Sequence, residues 1–192
     1  MKKLSGLVKK LRKAKVKRLT WNREPSILLH PPIPPPMYGL APRNIMGARW
    51  WYETRQASYR STDYHCQACG VHRDYAEVHR WLEGHEFYTI NYLTGRMIYR
   101  RTTPLCHYCH NFIHIMRLGS LVEKGKVPIA KYNAVVAHGN AILKQAGLVK
   151  PPVYNGRIAP WHKWRLIFNR KHYKPLYSSL DEWNLHHNDD WG

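Results

Sequence analysis

Four cysteines stand in two Cys-x-x-Cys pairs, Cys66/Cys69 in HCQACG and Cys106/Cys109 in LCHYCHNFIH, and the chain has no others. Thiolates are soft ligands. Two such knuckles, with 36 residues between them, suffice for one tetrahedral Zn²⁺ site. The second knuckle carries more than sulfur. His110 follows Cys109 directly, and His114 lies four residues on. On a helix, i and i+4 share a face. Two imidazoles side by side, next to a structural zinc ligand, have no use in a plain zinc ribbon, whereas a hydrolytic metal site needs them. A thioredoxin-like redox pair is the competing reading of either knuckle, but it gives His110 and His114 no role.

The charge balance narrows the partner. The 192 residues hold 31 Lys and Arg against 12 Asp and Glu, a formal net charge of +19. A polyanion, nucleic acid first, is the expected partner. The 8 Trp and 13 Tyr suit base and sugar contacts, and serve equally as core for a small domain. No apolar run is long enough for a membrane span, and the basic start lacks the apolar core of a secretory signal. A cytoplasmic, reducing setting is therefore expected, in which paired knuckles bind metal rather than form disulfides.

Cutting a phosphodiester requires a base for the water, a counter-charge for the phosphorane-like transition state and support for the leaving oxygen. A histidine base with one divalent metal covers all three. The parts occur in a workable order. Ala76–Leu82, AEVHRWL, alternates like a strand and carries His79, with Glu77 two residues back on the same face. Strands are expected at 86–92 and 96–103 around a Thr94-Gly95 turn, with Pro104 ending the ladder. A helix over 109–118 would present His110 and His114. Helices are also expected at 46–60 and 128–147, the latter with Pro at its start and Gly at its end. His138 on that helix reads as a surface or packing residue.

At this point the sequence resembles the HNH endonuclease family. The likeness runs over roughly 42–149, with its core at 64–118, and rests on Cys-x-x-Cys, an acid-x-His strand motif, and Leu-Cys-x-x-Cys-His-x-x-x-His. It looks most like small stand-alone HNH proteins of phage and mobile elements. The resemblance implies an α+β fold with a ββα-metal core stapled by a zinc site of four cysteines, flanked by helices and a basic arm. It implies metal-dependent hydrolysis of DNA, by nicking or double-strand cutting. His110 and His114 would hold a catalytic ion such as Mg²⁺ or Mn²⁺, and His79 would be the base or a metal ligand. Glu77 would complete the ligand set or orient His79. Family members often carry two adjacent strand residues here, one a ligand and the next the base; this chain has Val78-His79-Arg80. Arg80, Arg100 and Arg101 are the expected phosphate contacts.

The organisation then reads as a basic arm and Pro-rich linker over 1–41, a nuclease core over 42–120, and a helical, basic and aromatic extension over 121–192. Folding is expected to begin near Pro42. The stretch from Trp161, WHKWRLIFNRKHYK, reads as a second DNA-contacting element, and LDEWNLHHNDDWG as an exposed tail. The competing functions are a non-catalytic zinc module that binds DNA or a phage assembly, replication or packaging partner, and an RNA-binding zinc protein.

Overall fold

The β1/β2 hairpin is the frame on which everything else is hung. Strand β1 (Glu83–Asn91) pairs antiparallel with β2 (Arg96–Leu105), from Glu83 opposite Leu105 to Asn91 opposite Arg96. Gly95 takes a left-handed φ of 69° in the turn, and the Asn91 side chain accepts the Thr94 N–H. Burial does not simply alternate along them: His85 and Glu86 of β1 are both buried, and so are the last four residues of β2, Thr102–Leu105.

A computed structural model describes residues 21–151 and 154–187. The expected basic arm lies, up to residue 20, outside the described residues. Within them the chain is α+β, with five α-helices and a four-stranded mixed sheet in the order β1-β2-β3-β4. The helices are α1 (Pro42–Ser61), α2 (His107–Ile113), α3 (Ile115–Glu123), α4 (Ile129–Gln145) and α5 (Leu180–His187). Strand β3 (Arg165–Phe168) lies parallel to the start of β2, and β4 (Lys171–Tyr173) returns antiparallel to it. Asn169 and Arg170, both at positive φ, make the two-residue turn between them.

Several elements depart from expectation. Residues 76–82 alternate as a strand should, yet form bends, with Val78 at φ 76°. The ladder explains this. Leu105 is the last residue of β2, because Cys106 must turn into the second knuckle, so residues before Glu83 have no strand to pair with. Pro104 does not end β2. It sits opposite Gly84, where β3 no longer flanks β2, and its carbonyl accepts the Gln67 N–H at 2.9 Å. The helix after the second knuckle is split at His114, whose ψ of 34° separates α2 from α3.

The ends fold onto the middle. One apolar cluster joins Ile27 and Leu28, Leu82, Leu105, Phe112 and Leu118 to Val135, Ile142 and Leu143 of α4. A second joins Met37 and Leu40 to Tyr88, Met97, Trp164, Leu166 and Phe168. Folding therefore begins well before Pro42. Ile27 and Leu28 are fully buried, and the proline segment is a strap held in part by a Tyr92 hydroxyl donating to the Pro32 carbonyl. The Trp161 stretch contributes core rather than an open aromatic surface, since Trp164 is fully buried and donates its indole N–H to the Ala159 carbonyl. The expected tail is helical as far as His187 and docks through buried Trp183, which stacks near-parallel on His187 and edge-on to Tyr38.

Candidate metal centres

The first knuckle is a tight hairpin. Cys66 N–H donates to the Val71 carbonyl and Gly70 N–H to the Cys66 carbonyl, each at 2.8 Å. Gly70 has φ 82°, a conformation that favours glycine. The Gln67–Pro104 bond fastens this hairpin to the end of β2, beside the second knuckle. There Cys106 is the N-cap of α2, so Cys106 and Cys109 lie at the positive end of the helix. The four sulfurs come within 4.8 Å of one another, with Cys69 and Cys106 at 3.8 Å, and none is in a disulfide. Hydrogen bonds from Cys106 and Cys109 hold the Cys69 thiol far below its usual value, while Cys106, Cys66 and Cys69 around Cys109 push that thiol well up. Four sulfurs so close cannot all ionise without a cation between them. The set can hold a structural metal such as zinc.

His138, expected at the surface or in packing, approaches this cluster. Its Nε2 is 3.5 Å from Cys109 Sγ, and its ring packs edge-on to Tyr108. Gly139 beside it allows the approach, because a Cβ there would fall 2.1 Å from the Phe112 ring. Helix α4 is thereby pressed onto α2.

The histidines gather in clusters of their own at α2. His114 N–H donates to the His110 carbonyl, so the two residues stay one turn apart despite the break, with ring centroids 4.8 Å apart. The third member is His85 of β1, with ring centroids 5.4 Å from His110 and 5.1 Å from His114. Ligand atoms of the three lie within 4.8 Å of one another. Burial, then His114 and His110, drives His85 well below an ordinary histidine, and burial, then His110, His30 and two arginines, brings His114 down to about 3. Both are therefore neutral at pH 7, the form that binds metal.

Glu83 stands at the centre of the imidazoles. Its Oε2 bonds His110 Nδ1, and its Oε1 bonds His107 Nδ1 and His79 Nε2, both at 2.8 Å. Burial raises its carboxyl, but the bonds from His107, His110 and His79 prevail and hold it well below the ordinary carboxylate value. With Nδ1 committed to Glu83, His110 has Nε2 to offer, the carboxylate–histidine pattern that orients metal ligands. The fit to a cation has a second support. His85 Nε2 is buried with no hydrogen-bond partner among the described residues, and so is Thr103 Oγ1 on the opposite rung of β2. Buried polar atoms normally find partners, and a cation held between the histidines would supply one for His85.

The expected residues sort clearly against this geometry. His110 and His114 are brought together with His85, which sequence reasoning missed. His79 lies apart from that trio, in the loop before β1, with Nε2 on Glu83 and Nδ1 facing the Trp81 carbonyl at 3.2 Å. Both of its ring nitrogens are engaged there rather than at the three-histidine site. Glu77 is exposed, beside Tyr108, and the carboxylate that orients His79 is Glu83. Arg80 and Arg100 are exposed. Arg101 is engaged, bonded to Glu24 and lying over the Phe87 ring. The overlooked signal was a repeat. Acid-x-His occurs as Glu77-Val78-His79 and again as Glu83-Gly84-His85, and only the second lies on a strand.

Next to His85, Glu86 is a buried carboxylate whose Oε2 accepts a bond from Arg43 at 2.7 Å, and whose Oε1 has no partner among the described residues. Burial raises its carboxyl, opposed by Arg43. Among the described residues no helix is long and apolar enough to cross a membrane. No family model matches the chain, and neither do curated proteins or solved structures.

Proposed function

We propose that this chain is a metal-dependent endonuclease of the HNH type, hydrolysing DNA phosphodiester bonds with a divalent cation on His85, His110 and His114. The observation that carries the reading is the convergence of these three imidazoles, from strand β1 and from α2 and its C-cap, beside a cluster of four cysteines. Bound there, a divalent cation supplies positive charge to the scissile phosphate and the leaving oxygen. Three imidazoles suit Mn²⁺, Ni²⁺ or Zn²⁺ better than Mg²⁺.

The chain's own residues divide the remaining work. His85-Glu86 stands as the adjacent pair of ligand and base that the resemblance implies, in place of Val78-His79-Arg80. Glu86 takes the proton of the attacking water, a role its raised carboxyl favours by bringing it closer to neutrality. Glu83 keeps His110 in one tautomer. Arg43, half-exposed and held by Glu86, meets the phosphate. Exposed Arg80 and Arg100, with the excess of basic residues, hold the DNA backbone.

The deciding experiment is supercoiled-plasmid cleavage with Mn²⁺, Mg²⁺ or Zn²⁺, with EDTA, and with His85→Ala. Metal-dependent nicking or linearisation that is lost in the variant supports the reading. Retarded but uncut plasmid under every metal defeats it, leaving a zinc-stapled DNA-binding or phage-assembly module.

A further inference from the structure

We infer that His79, Glu83 and His107 form a second cation site beside the three-histidine site, sharing Glu83 with it and selective for borderline transition metals such as Zn²⁺ or Co²⁺. The site depends on none of the hydrolytic chemistry proposed above.

Its three donor groups converge on one point, as metal ligands do. Two imidazoles from different parts of the chain, one in the loop before β1 and one at the first position of α2, turn a nitrogen toward the same oxygen, each at 2.8 Å. All three ligand atoms lie within 4.8 Å of one another. The three side chains are only 12 to 23 % exposed, so bulk water screens them little.

The surroundings are those a metal ligand needs. His79 directs its other nitrogen at the Trp81 carbonyl, 3.2 Å away. A metal ion on Nε2 would leave an Nδ1–H to donate to that backbone carbonyl, the usual outer support of a metal-bound histidine. The Trp81 indole stacks on the His79 ring at 3.8 Å and 4°, fixing its plane. Glu83 is anchored in turn, since its Oε2 is bonded to His110.

Two imidazoles and one carboxylate match the donor set of hydrolytic zinc sites with an open fourth position, and suit Mg²⁺ or Ca²⁺ poorly. One carboxylate with an oxygen on each side would tie the two histidine sites into one cluster, so that each senses occupation of the other.

The test is metal counting on the full-length protein, loaded with Co²⁺ and freed of excess by gel filtration. The wild type is expected to retain one more ion than the His79→Ala/His107→Ala double variant. His114→Ala should lose a different ion, so that the two losses add when the variants are combined. The thiolate-to-Co²⁺ absorption band, present in every variant, reports that the cysteine site and the fold are intact. Equal counts in wild type and double variant would overturn the inference and leave a hydrogen-bonded network. Should the double variant lose the thiolate band, His114→Ala loaded with Co²⁺ decides: retention of one ion beyond that of the four-cysteine site supports the second site, and retention of the four-cysteine ion alone refutes it. Cleavage is read separately: a chain that keeps the extra ion but cuts no plasmid loses the nuclease reading only, and one that cuts without it loses this inference only.

Discussion

The cysteine cluster and the histidine cluster draw on the same short helix, and they are built in opposite ways. Each half of the cysteine set is local. Cys66 with Cys69, and Cys106 with Cys109, are placed by a hairpin and a helix cap that the neighbouring residues dictate, and Cys66 and Cys109 are fully buried. The histidine set is assembled from distance. His85 comes from a strand, His107, His110 and His114 from the helix and its end, and His79 from a loop, with one carboxylate between them. The first set is closed by four like ligands, as structural metal sites are; the second keeps polar atoms without partners among the described residues and stays partly open to solvent. Stability should therefore sit with sulfur and chemistry with nitrogen.

The sharpest way to break this contrast is to remove a ligand from each side. Cys106→Ser should abolish the cooperative thermal transition and release the tightly held metal, because structural zinc contributes roughly 10–16 kcal/mol to folding in small zinc domains. Circular dichroism and elemental analysis read this directly, and a variant that melts like wild type would show that sulfur holds nothing together. His85→Ala should do the reverse. Plasmid cleavage should fall by at least about a hundredfold while the melting temperature moves by only a few degrees, since the lost Nε2 has no hydrogen-bond partner among the described residues. Unfolding on the scale of the cysteine variant would make the histidine centre structural too.

Smaller changes sharpen the comparison. Gly139→Ala places a methyl into the Phe112 ring, and should cost about 1–3 kcal/mol by denaturant titration, with α4 pushed off the sulfur side of α2. Metal affinity of the histidines should be nearly unchanged, and a large loss there would mean that the two sides are mechanically coupled. Glu83→Gln should weaken Mn²⁺ or Co²⁺ binding at the histidines by about 10–100-fold in calorimetric titration, leaving the thiolate absorption as it was. The smallest effect belongs to Arg80→Ala. Loss of this exposed residue should lower the salt dependence of DNA binding by about one phosphate's worth, without altering cleavage at saturating DNA. An unchanged salt slope would place Arg80 off the DNA path.

Legibility follows the same divide. The knuckles, the hairpin turn at Thr94-Gly95 and α4 were readable because each rests on contacts a few residues apart. His110 and His114 were readable as a pair because one helical turn joins them, even though the helix breaks between α2 and α3. The choice between Glu77-Val78-His79 and Glu83-Gly84-His85 was not readable. Both alternate as a strand does, and what separates them is where β2 runs out of residues to pair, which depends on the second knuckle more than twenty positions away. The C-terminal aromatics were equally ambiguous, since Trp164 and Trp183 carry the same side chain whether buried or presented to DNA.

The sequence by itself determined the sulfur site, the excess of positive charge and the α+β pattern, because ligand type, charge and periodicity are properties of neighbouring residues. Only the tertiary structure decided which histidines meet and which carboxylate stands among them. Ladder register and helix docking, pressed close by Phe112 against Gly139, bring residues from a loop, a strand and a helix to one point, and no local pattern encodes such a distance.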